Sequence, residues 1–177
     1  MIDSTLTASG YEVSIPEPTA MVSTSFARPA GTTAYTAKDA VADSASAPTV
    51  LTFTKMANKP GGTGYITKAR LMSDQSGNTA RFRLHLFHTA PTPINDNAAH
   101  TLLYANRANR VGHVDFDAMQ TEGSGSTAAN ASNTAVRLPF ACAAGSRDLF
   151  GLLETLDAFT PASAQAFHLE LTAERPA

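Results

Sequence analysis

The sequence predicts an all-β protein: an antiparallel β-sandwich, a jelly roll of about eight strands in one domain. In several segments apolar and polar residues alternate with a period of two, and turn-forming residues separate these segments. No strand–helix–strand rhythm is present. The chain of 177 residues is long enough for one domain of ordinary size, but Val, Ile and Leu together supply only 25 of them. A core that is short of large aliphatic residues is thin, which suits two packed sheets.

The clearest alternation lies in two neighbouring segments, Tyr65–Ser73 and Ala80–His88. The residues DQSGN between them favour a turn. The pattern therefore predicts a β-hairpin that folds about Ser76–Gly77. In its second strand three apolar residues alternate with three basic ones: Phe82, Leu84 and Leu86 with Arg81, Arg83 and His85.

Alternation and turn residues predict further strands elsewhere in the chain. These are residues 20–28, 49–55, 101–106, 111–117, 135–141, 147–157 and 164–172. The residues TPAS join the last two, which predicts a second hairpin. The leucines between Leu149 and Leu156 also fit helical spacing, but Gly151 and the nearby Pro161 favour a strand.

The remaining segments are rich in small residues, of which the chain has 32 Ala, 22 Thr and 14 Ser. Residues 1–19 are expected to form an extended N-terminal arm, because Pro16 and Pro18 exclude a helix there. Residues 20–177 form the sandwich domain. Residues 30–48 are predicted to be loop or edge structure, and residues 121–135 a mobile loop.

Composition excludes several classes of partner and site. The net charge of −2 and the pI of about 6.2 argue against nucleic acid or an anionic membrane as partner. The single Cys142 allows no intrachain disulfide and no multi-cysteine metal site, and it is interpreted as a small buried apolar residue. No segment resembles a membrane span or a secretion signal, so we expect a protein made and assembled in the cytoplasm.

The sequence predicts no catalytic residue, no cofactor and no metal ligand. His85 and His88 are three residues apart, so they point to opposite faces of a strand. His113 and Asp115 share a face, but no spacing identifies a third ligand. The residues from Asn95 to Asn97 lack the glycine and closing glutamate of a calcium loop, and they predict a turn. No nucleophile motif or phosphate-binding loop is present, so the protein is predicted not to be an enzyme.

One local feature stands out, a positive charge of +4 over residues 65–110, against −6 in the rest of the chain. The predicted hairpin would place several of these basic residues on one outward face, where like charges repel. They are either paired within the sheet, with Asp115, Asp117, Glu154 or Glu170, or they bind an acidic surface of a partner protein. The residues predicted for such a partner interface, together with the prolines of the arm, are Lys68, Arg70, Arg81, Arg83, His85, Pro16 and Pro18.

Two blocks of the sequence resemble a family of phage proteins. They are GYITKARLMSDQSGNTARFRLHLFHTAPTPINDNAAHTLLYANR and LFGLLETLDAFTPASAQAFHLEL. Over roughly residues 63–171 the chain resembles the jelly-roll cement (decoration) proteins on the heads of tailed bacteriophages. The resemblance implies a homo-oligomer, dimeric or trimeric, that lies on the capsid surface and bridges subunits of the major capsid protein.

The sequence thus predicts a non-enzymatic structural protein of a phage virion, which binds the head through its arm and the basic face. Two alternatives belong to other classes. A carbohydrate- or receptor-binding jelly roll of a tail fibre or baseplate would need exposed aromatic residues, and the chain has no Trp and four Tyr. An enzyme on a cupin-like barrel would need a facial set of His and carboxylate ligands.

Overall fold

The computed structural model describes residues 4–6, 12–14 and 18–175. These residues form short and long β-strands and one 3-10 helix, Tyr104–Asn106. In chain order the strands are β1 Ser4–Leu6, β2 Glu12–Ser14, β3 Thr19–Ala27, β4 Ala40–Val41, β5 Leu51–Phe53, β6 Thr63–Ser73, β7 Phe82–Phe87, β8 Arg110–Phe116, β9 Gln120–Thr121, β10 Ala129–Asn133, β11 Leu138–Ala141, β12 Leu149–Thr155 and β13 Ala166–Glu174.

Strands β3 to β13 build two antiparallel sheets that form a sandwich, whereas β1 and β2 pair only with each other among the described residues. The six-stranded sheet has the order β3-β13-β6-β10-β9, and β11 pairs with the other half of β6. The five-stranded sheet has the order β4-β12-β7-β8, and β5 pairs with the other half of β12. Since β10 and β11 share one side of β6, and β4 and β5 share one side of β12, these strands fill nine positions, five in one sheet and four in the other. The predicted all-β sandwich is confirmed.

The core lies between the sheets and is built by alternate side chains of each strand. In β13 the inward residues Phe167, Leu169 and Leu171 are fully buried. Phe82 of the opposite sheet meets Phe167 edge to face, with the ring centroids 5.6 Å apart. Cys142 is buried beside this core, as its small apolar neighbours predicted.

Both predicted hairpins are wrong, although all four of their strands exist. β6 lies in the six-stranded sheet and β7 in the five-stranded one, and the same holds for β13 and β12. Alternation shows which side of a strand is buried, but it does not identify the neighbouring strand. The connections 74–81 and 156–165 are long enough to cross the roughly 10 Å between packed sheets, and each of them does so.

Two further segments differ from prediction. Residues 101–106 were predicted as a strand, but they contain the 3-10 helix and lie outside the sheets. Residues 121–135 were predicted as a mobile loop, but they contain β10, which pairs with β6. In β10 the buried residues are Ala129 and Ala131, and alanine gives a weak apolar signal in a segment rich in Ser and Asn.

The structure also bears on the remaining sequence predictions. Residues 149–155 form a strand, as Gly151 favoured. Within the predicted arm, β1 and β2 pair antiparallel, and β3 already begins at Thr19. Pro16 lies outside the described residues, whereas Pro18 is exposed and its carbonyl accepts a hydrogen bond from the backbone N–H of Arg175. No helix among the described residues is long and apolar enough to cross a membrane.

Candidate functional site

Residues 89–109, here called the covering segment, join β7 to β8 and place the ring of His100 on the outer face of the five-stranded sheet. The outward side chains of such a sheet are normally exposed to water. In this sheet the outward residues His85 and Glu154 are only 5 % and 6 % exposed. Backbone hydrogen bonds hold the segment at several points. His88 N–H donates to the Asn109 carbonyl at 2.9 Å, and His100 N–H donates to the Lys38 carbonyl at 2.8 Å. The segment therefore turns an outer sheet face into a buried polar site.

A cluster of two histidines and one glutamate lies beneath this segment. His85 on β7 and Glu154 on β12 are neighbours on the sheet, and Nε2 of His85 lies 2.7 Å from Oε2 of Glu154. His100 of the covering segment stacks on His85, with ring centroids 4.2 Å apart and an angle of 13° between the planes. One ligand atom from each of the three residues lies within 4.8 Å of the other two.

Burial controls the protonation of both imidazoles. Loss of water lowers the pKa of His85 from 6.5 to about 4, and the positive charge of Arg110 acts in the same direction. Loss of water likewise lowers the pKa of His100 to about 4, and His85 adds to this effect. Both rings are therefore neutral at pH 7, so each carries one ring nitrogen with a free lone pair.

Two ring nitrogens in this cluster are buried and make no hydrogen bond in the described part of the chain. They are Nδ1 of His85 and Nε2 of His100. Buried polar atoms are nearly always hydrogen-bonded in folded proteins. The cluster thus presents two neutral imidazoles and one carboxylate, of which only the His85–Glu154 contact is satisfied.

A second buried contact fastens the covering segment at Asp96. Its carboxylate accepts hydrogen bonds from Arg28 Nη2 at 3.2 Å, from the Tyr35 hydroxyl and from the backbone N–H of Ala42. All three side chains of this group are at least nine-tenths buried. The predicted turn at residues 95–97 is present, and Asn97 has φ of 58°. The side chain of Asp96, however, does more than stabilise a turn, because it forms a buried ion pair with Arg28.

The predicted basic face does not exist, because its residues lie on two different sheets. Lys68 and Arg70 are on the outer face of the six-stranded sheet, while Arg81, Arg83 and His85 belong to the opposite side of the sandwich. His85 is buried, so it cannot be the exposed contact that was predicted. The partner contact assigned to the arginines, Lys68 and the two prolines stays a prediction.

Most of the basic residues are paired within the sheets, the alternative that the like-charge argument left open. Arg83 donates two hydrogen bonds to Asp115, at 2.6 and 2.8 Å. Arg70 binds Glu170 at 3.1 Å. Arg81 binds Asp157 at 2.7 Å and lowers the pKa of that carboxyl to about 2. Arg83 likewise lowers the pKa of Asp115.

The prediction that His85 and His88 do not point to the same site is confirmed. His88 turns away from His85, and its Nε2 donates to the Ala108 carbonyl. His100 was not singled out, and Glu154 was named only as a possible partner of the basic residues within the sheet, because 69 positions separate His85 from Glu154 and no local motif joins them. The only signal for His100 was a histidine in a long connection that follows a strand.

The tip of the covering segment exposes three consecutive large apolar side chains. Leu102 is 45 %, Leu103 44 % and Tyr104 79 % exposed. Arg107 lies over the ring of Tyr104, with its guanidinium carbon 4.2 Å from the ring centroid. This exposed group, here called the apolar tip, begins two residues after His100.

Comparisons with known proteins find similarity among solved structures. A cyanophage Pam1 capsid chain is 16 % identical with a TM-score of 0.38, and the alignment covers 96 % of this chain and 97 % of that one. A capsid chain of the Helicobacter pylori bacteriophage KHP30 is 9 % identical with a TM-score of 0.32, covering 92 % of each chain. An adhesin domain of the Lys-gingipain of Porphyromonas gingivalis is 11 % identical with a TM-score of 0.32, covering 77 % and 71 %.

No family model matches the chain. A search of curated proteins finds no match either.

Proposed function

We propose that the protein is a non-enzymatic structural component of a phage virion. In this proposal it is a cement protein that binds the outside of the head and bridges subunits of the major capsid protein. The sequence resemblance over residues 63–171 suggests the role. The observation that carries it is the apolar tip, because large side chains of this kind favour burial against a partner.

The apolar tip has the composition of a protein contact. Aromatic and aliphatic side chains that are exposed in the free protein become the anchors of an interface when a partner covers them. Leu103 and Tyr104 are adjacent, and the segment that carries them is fixed at Asp96 and His100. A contact that is already ordered loses little conformational freedom on binding.

A second contact is proposed on the outer face of the six-stranded sheet. This face is exposed or half-buried along β3, β13 and β6. Lys68 and Arg70 lie on it, and Met21 is 68 % exposed at its edge. An acidic capsid surface would suit the two basic residues, and the arm of residues 1–19 would add contacts beside β3.

The proposed homo-oligomer, a dimer or trimer, uses the edge of β3 that pairs with no other strand in the described part of the chain. This strand ends the six-stranded sheet, and its nine residues, TAMVSTSFA, carry no charge. Long uncharged edge strands pair readily with another chain. Light scattering or sedimentation of the purified protein gives its oligomeric order.

Co-sedimentation with phage heads that lack this protein tests the proposed role. We expect wild type to bind heads at a fixed ratio to the capsid subunit. The double variant Leu103→Ser, Tyr104→Ser should lose most of this binding, because it removes two exposed anchors without touching the core. Lys59→Ser, at an exposed residue of the connection between β5 and β6 that belongs to neither proposed contact, is the control and should bind as wild type.

Separate variants test the other contacts. Deleting residues 1–17, or introducing Lys68→Glu with Arg70→Glu, should each weaken binding to heads. Failure of wild type to sediment with heads would refute the cement role. Normal binding by the double variant at Leu103 and Tyr104 would refute the contact through the apolar tip.

Tyr104 also supports the alternative function, a carbohydrate- or receptor-binding module of a tail fibre or baseplate. A sugar ring stacks on an exposed aromatic face, and Tyr104 is the most exposed large apolar residue in the described part of the chain. Arg107 already occupies one face of this ring. Saturable glycan-array binding that Tyr104→Ser abolishes would favour this alternative over the cement role.

A further inference from the structure

We propose that His85, His100 and Glu154 bind a divalent transition-metal cation of the Zn²⁺ type, which fastens the covering segment to the five-stranded sheet. This inference does not depend on the capsid role. It assigns a metal site where the sequence predicted none.

The donor set has the chemistry of a transition-metal site. Imidazole nitrogens suit Zn²⁺, Cu²⁺, Ni²⁺ and Fe²⁺, and a carboxylate oxygen completes a frequent three-ligand combination. Mg²⁺ and Ca²⁺ prefer sets made of oxygen atoms alone. Two nitrogens and one oxygen therefore select a transition metal over the two commoner divalent cations.

A cation in contact with Glu154 would stabilise its buried negative charge. Its carboxylate is 6 % exposed, and in the described part of the chain its only hydrogen-bond partner is the His85 ring. Arg83 lies opposite Glu154 in the β7–β12 ladder, but it donates two hydrogen bonds to Asp115 instead. A buried carboxylate without a cation in contact is costly, and a bound metal would remove this cost.

The unpartnered nitrogens are a second, independent observation. Nδ1 of His85 and Nε2 of His100 are both inaccessible to water and without a hydrogen-bond partner. His85 as a whole is 5 % exposed. Coordination gives a buried nitrogen the partner that it lacks, with the remaining ring nitrogen free to donate to a carboxylate.

The distances need only a small adjustment. A tetrahedral Zn²⁺ with bonds of about 2.0–2.1 Å holds its ligand atoms roughly 3.4 Å apart. The three candidate ligand atoms lie within 4.8 Å of one another. Rotation of the His100 side chain can close the difference, while its backbone N–H stays bonded to the Lys38 carbonyl.

Such a metal would join three parts of the chain that are remote in sequence. His85 lies on β7, Glu154 on β12 and His100 in the covering segment, two residues before the apolar tip. A bound cation would stabilise the folded state by mass action, and it would hold the tip against the sheet.

The test uses full-length protein produced without a histidine tag and stripped of metal with a chelator. Titration with Zn²⁺ in a calorimeter should show one site per chain, and Mg²⁺ should show none. Co²⁺ should give the visible absorption bands of a four- or five-coordinate site, and saturating Zn²⁺ should raise the Tm.

Variants locate the site. His100→Ala and Glu154→Gln should each raise the Zn²⁺ dissociation constant by at least about tenfold, the low end of what loss of even an outer-shell group costs. His168→Ala is the matched control, because His168 lies on the six-stranded sheet and bonds to Ser25. It should bind as wild type. His100→Ala leaves both strands intact, so it remains informative if Glu154→Gln does not fold.

Absence of stoichiometric Zn²⁺ binding by wild type would overturn the proposal. Binding that survives in both His100→Ala and Glu154→Gln, or that His168→Ala abolishes, would place the metal elsewhere and would overturn it equally.

Discussion

His85 and His100 stack face to face with ring centroids 4.2 Å apart, although one lies on a strand and the other in a long connection. The contact joins the sheet to the segment that covers it, and protonation of both rings would destabilise it. Two stacked imidazolium ions in a buried site would repel each other. The stability of this contact therefore depends on pH.

Metal-free protein should lose stability as the pH falls from 6.5 to 4. In the unfolded chain each histidine binds a proton near pH 6.5, whereas in the fold the pKa of both His85 and His100 is about 4. The unfolded state therefore takes up more protons in this range, and stability is present above pH 6.5 and lost below it. By pH 5 the loss from His85 is on the order of 2 kcal/mol, and His100 acts in the same direction.

Thermal unfolding followed by circular dichroism in the presence of a chelator measures this loss. His100→Ala should flatten the pH dependence, and His168→Ala should leave it as in wild type. Other charged and titratable groups that face the pair also shift the pKa values of the two histidines. These are Arg83, Arg110, His113, Asp115 and Glu154. A constant Tm between pH 7 and pH 5 would contradict the prediction.

The ion pair of Asp96 with Arg28 should matter more to stability than the exposed pairs. Asp96→Ala leaves the Arg28 guanidinium buried without a counter-charge, and such losses cost about 3–5 kcal/mol. Denaturant unfolding measures the free energy. Asp157→Ala breaks the exposed pair with Arg81 and is the control, with a much smaller loss expected. Equal losses in the two variants would show that burial of the Asp96 pair is energetically unimportant.

Gly64 should not tolerate a side chain. A Cβ atom there would lie 2.5 Å from the Glu174 carbonyl oxygen and 2.7 Å from the ring of Phe140. Gly64→Ala should therefore destabilise the fold by about 1–3 kcal/mol through overpacking. Gly77 has open space around the same position, so Gly77→Ala is the control and should change the Tm little. A Gly64→Ala protein as stable as wild type would show that β6 and β11 can separate at no cost.

Cys142 should be unreactive in the folded protein. Burial raises the pKa of its thiol to about 11, so almost no thiolate exists at pH 8. Labelling with a thiol reagent should be slow in native protein and fast after denaturation. Since the folded-state pKa is raised, the contribution of this group to stability is present below pH 9 and is lost as the pH rises toward 11. Rapid labelling of the native chain at pH 8 would show that Cys142 is accessible.

Individual strands could be predicted from the sequence, but their neighbours could not. Phe82, Leu84 and Leu86 face the core as their alternation indicated. β7 pairs with β12, some 70 residues along the chain, and with β8 beyond the covering segment, and no local pattern records either pairing. The alanines of β10 are a different case, because small buried side chains resemble the composition of a loop.

The candidate metal site could not be predicted from the sequence, for a related reason. Its three members are brought together by the β7–β12 pairing and by the path of the covering segment. Sequence reasoning correctly separated His85 from His88, since that argument needs only the two-residue repeat of a strand. Convergence of His85 with His100 and Glu154 needs the tertiary fold.

The position of β13 in its sheet also bears on how the chain reaches its native state. β13 lies in the middle of the six-stranded sheet, between β3 from the start of the chain and β6. That sheet cannot close until synthesis has passed Glu174 and the ribosome has released the segment. Neither sheet is a local folding unit, so the barrier reflects long loop closures, and folding should be slow and all-or-none.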